Sequence, residues 1–169
     1  PLSGKFGIDT FKVVNAPVLA RILTLGSLTG MADLLYGDGI SFVRFEAPFA
    51  LQDGRLEIER ARAFGPALGI TLEGGLDREH GQVEIRGTLV PAYTLNSVLG
   101  NIPLLGNLFV GREGEGIFAI TYAVNGPLSE PTVTVNPLSA LAPGFLRSIV
   151  LGFAKLVGGV PQDQLQQDE

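Results

Sequence analysis

The sequence predicts a mainly β fold with flanking α-helices, an antiparallel meander whose sheet is curved and apolar on one face. Three observations predict it. Apolar and polar residues alternate in segments that short turn signals separate. From 68 to 77, Leu68, Ile70, Leu72 and Leu76 share one parity while Thr71, Glu73 and Asp77 share the other. From 82 to 89, Val83, Ile85 and Leu89 stand against Gln82, Glu84, Arg86 and Thr88. Successive side chains on a strand point to opposite faces, so such segments pair into a sheet with one greasy and one wet side.

The elements follow in order. Phe6 to Val14 alternates loosely and reads as a strand. Asn15 is placed to cap a helix from Ala16 to Leu25, with Pro17 at its first turn, where a missing N–H costs nothing. Gly26 ends that helix, and Ser27 is placed to cap a second, Leu28 to Leu35, closed by Gly37-Asp38-Gly39. The strand from Ile40 to Leu51 carries Val43, Phe45, Ala47, Phe49 and Leu51 on one face and Arg44 and Glu46 on the other. Pro48 has no N–H to give a ladder, which predicts an edge strand or a bulge. Asp53-Gly54 is a hairpin turn signal. Arg55 to Phe64 answers with Leu56 and Ile58, then slips in parity to Ala61 and Ala63, the mark of a bulge. Leu68 to Leu76 and Gln82 to Val90 complete a four-strand meander.

Beyond Pro91, Thr94 is placed to cap a short helix through Leu99, and Ile102-Pro103-Leu104-Leu105-Gly106 is expected to form a compact apolar cap over one end of the sheet. Gly111 to Gly116 reads as a polar turn and lacks the Gly-Lys-Ser/Thr ending of a phosphate loop. Ile117 to Asn125 and Thr132 to Val135 are two more strands joined by Gly126-Pro127. A helix from about Pro143 to Val157 precedes a polar tail. The domain is expected over 1–161 and a disordered tail over 162–169.

Composition bounds the function. The 169 residues are 46% apolar and only 17% charged, with a mean hydropathy of +0.32. That balance predicts more apolar surface than a typical domain, where charge is about 25%. A net charge of −5 argues against nucleic acid as a partner. Without cysteine there are no disulfides and no thiolate metal sites. The opening Pro1-Leu2-Ser3-Gly4-Lys5 has neither a start methionine nor a signal sequence, and is expected to belong to a longer or processed protein. The apolar stretch from Phe145 to Val160 is broken by Arg147 and Lys155 and is too short to span a bilayer.

Little here points to catalysis, and no cofactor or metal is expected. His80, the only histidine, sits in the turn Arg78-Glu79-His80-Gly81, whereas a histidine base needs a positioned partner. Glu57 and Glu59, interleaved with Leu56 and Ile58, read as a solvated face. Arg55, Arg60 and Arg62 are suited either to a headgroup phosphate or, more simply, to cross-strand pairing with Glu57, Glu59 or Glu73. In the C-terminal helix, Leu141, Phe145, Ile149, Phe153 and Val157 form an apolar stripe beside small residues Gly144, Ser148 and Gly152. It reads either as packed on the sheet or as seated at a bilayer surface, with Phe145, Ile149 and Phe153 inserted and Arg147 and Lys155 reaching the headgroups.

Two segments, Gly87 to Gly111 ("GTLVPAYTLNSVLGNIPLLGNLFVG") and Gly116 to Arg147 ("GIFAITYAVNGPLSEPTVTVNPLSALAPGFLR"), together with the helix pair before the meander, resemble the C-terminal region of the AsmA-like family, in particular its large YhdP-like members. The resemblance implies a long curved sheet folded into an open groove, capped by short apolar helices. It further implies a parent anchored in the inner membrane of a Gram-negative bacterium, crossing the periplasm, with this end near the outer membrane. Its implied role is to pass phospholipid between the two membranes and support outer-membrane integrity. The partners it implies are phospholipid acyl chains, a membrane surface, and an outer-membrane or periplasmic protein. The expected lining is Val43, Phe45, Phe49, Ile70, Leu72, Val83, Ile85, Leu89, Phe118, Ile120 and Tyr122. The alternative is a non-catalytic structural or interaction module whose helices seal the sheet and whose edge docks a protein.

Overall fold

The computed structural model describes residues 1–91 and 119–138. The expected Thr94–Leu99 helix, the Ile102–Gly106 cap, the Gly111–Gly116 turn, the C-terminal helix and the 162–169 tail all lie outside the described residues. Within them, seven strands form one antiparallel sheet in strict sequence order: β1 (Leu2–Val13), β2 (Ile40–Gln52), β3 (Arg55–Phe64), β4 (Leu68–Asp77), β5 (Gln82–Pro91), β6 (Ala119–Pro127) and β7 (Thr132–Leu138). β1 and β7 are its outer strands and do not pair with each other, so the sheet is open. Two short helices, α1 (Pro17–Leu25) and α2 (Thr29–Leu34), interrupt the meander between β1 and β2.

Register aligns the apolar residues into rows that each cross six of the seven strands. One row runs Ile8, Phe45, Ala63, Ile70, Leu89, Ile120, and another runs Phe49, Ile58, Gly74, Ile85, Val124, Val133. The opposite face carries ion pairs: Lys5–Glu46 at 2.8 Å, Arg44–Asp9 at 2.7 Å, Arg86–Glu73 at 2.7 Å, and Arg55–Glu57. The expected division into a greasy and a wet side holds where these pairs lie, while beyond Leu89 and Ile120 the opposite face carries the buried Val90 and Ala119. Arg55 and Glu73 are drawn into carboxylate–guanidinium pairs, though Glu73 takes Arg86 rather than an arginine of β3.

Two local features bend the ladder. The pairing of β3 with β4 shifts by one residue between Ile58 and Ala61, so Glu59 and Arg60 form the bulge that the parity slip predicts. The β2–β3 register also shifts, between Glu46 and Phe49, and Pro48 sits within that break. β2 is an inner strand, so the bulge accounts for Pro48 and the edge-strand alternative does not hold. At the β2–β3 hairpin, Asp53 and Gly54 take φ of +49° and +75°, the two positive values that the tight turn requires.

The helix caps differ from expectation. Asn15 does not cap α1: it adopts φ +50°, the N-cap is Ala16, and no side chain caps the helix. Ser27 does not cap α2 either. It takes φ +64° and ends α1, its N–H donating to the Thr24 carbonyl at 3.1 Å while Leu28 N–H donates to Leu23 at 2.7 Å. That is a Schellman closure, with Leu28 packed on the cluster that holds Leu23. Gly26, at an ordinary φ, is needed for a different reason. A Cβ there would stand 2.3 Å from the Ile120 Cδ1, so glycine lets the C-terminal end of α1 come against Ile120 of β6.

Candidate functional site

The apolar face of the sheet is the candidate site, and the helices divide it into two regions. At one end α1 and α2 cover it: Ile22, Leu23 and Leu35 join Ile40, Phe42, Leu68, Leu89 and Ile120 in a single buried cluster. At the other end the face is open. Leu2, Phe6 and Ile8 of β1 are 60%, 51% and 38% exposed, and Phe49, Leu51, Leu56, Ile58 and Leu76 are half-buried. Exposed aliphatic and aromatic side chains that follow one another along a strand face form a patch, not scattered surface residues.

The expected lining residues fall into groups on this map. Val83, Leu89, Ile120 and Tyr122 are buried in the cluster, where they act as core. Phe45, Phe49, Ile70, Leu72 and Ile85 are half-buried on the apolar face. Phe118 lies outside the described residues, as do Phe145, Arg147, Ile149, Phe153 and Lys155 of the expected membrane-contacting helix.

Val43 departs from the expected alternation. It is 50% exposed, while Ile40 and Phe42, of the opposite parity, are buried. The reason is a change of face shared by two paired strands. Between the Asp9–Arg44 and Phe11–Phe42 pairs, Thr10 adopts φ +50°, and Val43 and Arg44 are consecutively exposed. Beyond that point β1 and β2 turn Phe11 and Phe42 into the core. The Phe11 ring stacks on Phe42 at 5.2 Å and meets Phe45 edge-on at 6.5 Å. Strict alternation from Phe45 backwards puts Val43 inside; the kink puts Phe42 there.

Leu2, Phe6 and Ile8 were not among the expected lining residues. Their shared parity is visible in the sequence, but Gly4 in the same series weakens it. The Phe6 ring meets Phe45 edge-on at 6.2 Å, and Phe49 lies against Gly4. The open end of the face thus continues from β2 onto the outermost strand.

Glycines and one tyrosine shape the strands beneath this face. Gly74 has φ +132°, and a Cβ there would fall 2.0 Å from the Glu84 carbonyl oxygen, so β4 and β5 approach closely where the β3 bulge abuts them. Gly87 stands between Leu72 and Tyr122 in the register, and the Tyr122 ring covers it. Burial pushes the Tyr122 phenol above its ordinary value of 10.0.

Among the described residues there is no cluster of metal-ligating side chains, and no helix is long and apolar enough to cross a membrane. His80 does have a partner. Its backbone N–H donates to Asp77 at 2.9 Å and its Nδ1 lies 2.8 Å from the other carboxylate oxygen. The hydrogen bond that the imidazole donates to the Asp77 carboxylate raises the His80 pKa, and the backbone N–H of His80 is the main cause that lowers that of Asp77. Both groups belong to an exposed hairpin turn, which accounts for the pairing as turn closure. No family model, curated protein or solved structure matches this chain.

Proposed function

We propose that this domain shelters lipid acyl chains on the open end of its apolar face and serves as the terminal segment of a lipid-transfer groove. The observation that carries the reading is the row of Leu2, Phe6 and Ile8, exposed on the same face as the half-buried Phe49, Leu51 and Ile58. Each methylene moved from water onto such a surface gains roughly 0.8 kcal/mol, and no reacting group is required. Over the open end the opposite face is occupied by the ion pairs Lys5–Glu46, Arg44–Asp9 and Arg55–Glu57, so hydrocarbon there meets the apolar side. The resemblance to the AsmA-like family adds the setting: phospholipid movement between inner and outer membranes, across the periplasm, in support of outer-membrane integrity.

Organic extraction of the purified domain followed by mass spectrometry tests this. Phospholipid should be recovered in fixed proportion to protein, and Phe49→Glu should lower that proportion while the circular dichroism stays β-rich. Protein that emerges free of lipid after expression in a lipid-replete host sinks the proposal. The rival reading, a non-catalytic module docking by its edge, is favoured by the exposure of β1 along Leu2 to Thr10. It predicts the lipid-free result.

A further inference from the structure

Three apolar rows of the sheet lose exposure in the same direction, away from β1. In the row nearest the hairpin turns, four leucines stand in register on consecutive strands, Leu2, Leu51, Leu56 and Leu76, and Val83 follows on β5. Leu2 is 60% exposed, the next three are half-buried, and Val83 is 7% exposed. In the adjoining row Phe49, Ile58 and Ile85 are half-buried, while Val124 and Val133 are buried. Nearer the helices, the row that begins at Ile8 and Phe45 ends at Leu89 and Ile120, both buried in the cluster with α1 and α2. The open floor is thus closed at β5–β6 and along the helices. It is open toward β1 and toward the turns at Asp53-Gly54 and Arg78–Gly81.

We propose that the acyl path on this domain is a blind one: a chain lies across the strands beside the leucine row, stops at Val83 and Val124, and leaves sideways over Leu56 and Leu76. The proposal rests on the lipid-sheltering reading above. It needs no free edge at β1, since a sheet continued there would feed the same floor. Hydrocarbon follows apolar surface that water can reach, because only such surface gains by being covered. Beyond Val83 and Val124 the surface is already covered, so advancing a chain over β6 and β7 requires lifting packed side chains. Displacing α1 and α2 instead returns Leu23 and Leu35, both 0% exposed, to water. The length of the floor fits one chain. From β2 to β5 are three inter-strand spacings, roughly 14 Å, close to the roughly 15 Å of hydrocarbon that one leaflet contributes to a bilayer. Gly74 leaves a gap in the second row between Ile58 and Ile85, flanked by Leu76, where a chain can seat. Leu56 and Leu76 adjoin Arg55 and Asp77 at the turns, so a chain that tips over them meets the rim of the domain.

The chain has neither tryptophan nor cysteine, so single substitutions to either report cleanly. The purified chain is loaded from vesicles of phosphatidylcholine brominated in its acyl chains, then separated from them by gel filtration. Bromine on a bound chain should quench the emission of Leu56→Trp and Ile58→Trp. Val135→Trp, half-buried on β7, and Leu128→Trp, exposed at the β6–β7 turn, should keep theirs. For the exit, a polarity-sensitive dye is placed on Arg78→Cys, at the rim, and on Gly37→Cys, beyond α2. The first should change its emission when the loaded chain meets acceptor vesicles of plain phosphatidylcholine, and the second should not. A Cβ at Gly37 meets nothing within 4 Å, so that control position accepts a dye without strain. Quenching at Val135→Trp or Leu128→Trp equal to that at Leu56→Trp would overturn the blind path and leave lipid binding intact. A response at Gly37→Cys with none at Arg78→Cys would overturn the sideways exit. Absence of quenching at all four tryptophan sites would remove the lipid reading itself, and this proposal with it.

Discussion

The Tyr122 hydroxyl donates a 2.8 Å hydrogen bond to the backbone carbonyl of Thr71, crossing the intervening strand at Gly87. A tyrosine on β6 is thereby tied to β4, two strands away. The link exists because Gly87 has no side chain. A Cβ there would fall 1.9 Å from the Thr71 oxygen and 2.7 Å from the Tyr122 hydroxyl. The aromatic ring fills the space that glycine leaves in the strand, as aromatic residues do opposite sheet glycines.

Gly87→Ala should therefore destabilise the domain by about 1–3 kcal/mol, the usual cost of overpacking a well-filled site. Tyr122→Phe should cost about 1 kcal/mol through the lost hydrogen bond. Urea unfolding of both variants measures this, and a silent Gly87→Ala would contradict the close approach of β4 to β5.

The same tyrosine sets an alkaline dependence. Its folded-state pKa is raised by burial, so above the ordinary value of 10.0 the unfolded chain loses the proton first. The contribution is thus fully present below pH 10 and falls as pH rises beyond it. Stability of the wild type should decline more steeply between pH 10 and 11 than that of Tyr122→Phe, compared by denaturant midpoints at each pH.

The Asp77–His80 turn gives an opposite pair of limits. The raised imidazole pKa adds stability that is complete below the ordinary histidine value of 6.5 and lost as pH rises through the folded value. The lowered Asp77 pKa adds stability present above 3.8 and lost as pH falls through its own folded value. The turn should be tightest between those limits. Proton NMR of the single histidine should give a pKa above 6.5 in the wild type, returning toward 6.5 in Asp77→Asn.

What could be read in the sequence was local. Asp53-Gly54 and the parity slip after Ile58 each carry their own signal, and both features stand where they were expected. The face of Val43 was not legible, because Ile40 and Phe42 are as apolar as Val43 and Phe45. Only the backbone of Thr10, on the neighbouring strand, decides between the two series. The division of the lining was hidden for a different reason. Leu89 and Phe49 look alike along their strands, yet α1 and α2 cover the first and leave the second half-open, and that coverage is set by tertiary packing. The caps differ from expectation because asparagine serves both as an N-cap and as a residue that tolerates positive φ, and because Gly26, not Ser27, is the residue type that suits a left-handed position.

That last ambiguity yields an opposed pair of substitutions at the end of α1. From sequence, Gly26 looks like the residue that must bend the chain and Ser27 like the start of the next helix. The structure reverses the roles: Ser27 holds φ +64°, and Gly26 has an ordinary φ but no room for a side chain beside Ile120. Ser27→Gly should stabilise the domain by roughly 0.5–1 kcal/mol, since glycine adopts the left-handed conformation without the Cβ penalty, partly offset by its freer unfolded state. Gly26→Ala should instead destabilise by about 1–3 kcal/mol, because its methyl group must displace Ile120 or lift the end of α1 from it. Thermal unfolding of the two variants side by side reads the signs directly. A gain from Gly26→Ala with a loss from Ser27→Gly would mean that Ser27 caps α2 after all and that α1 does not rest on Ile120.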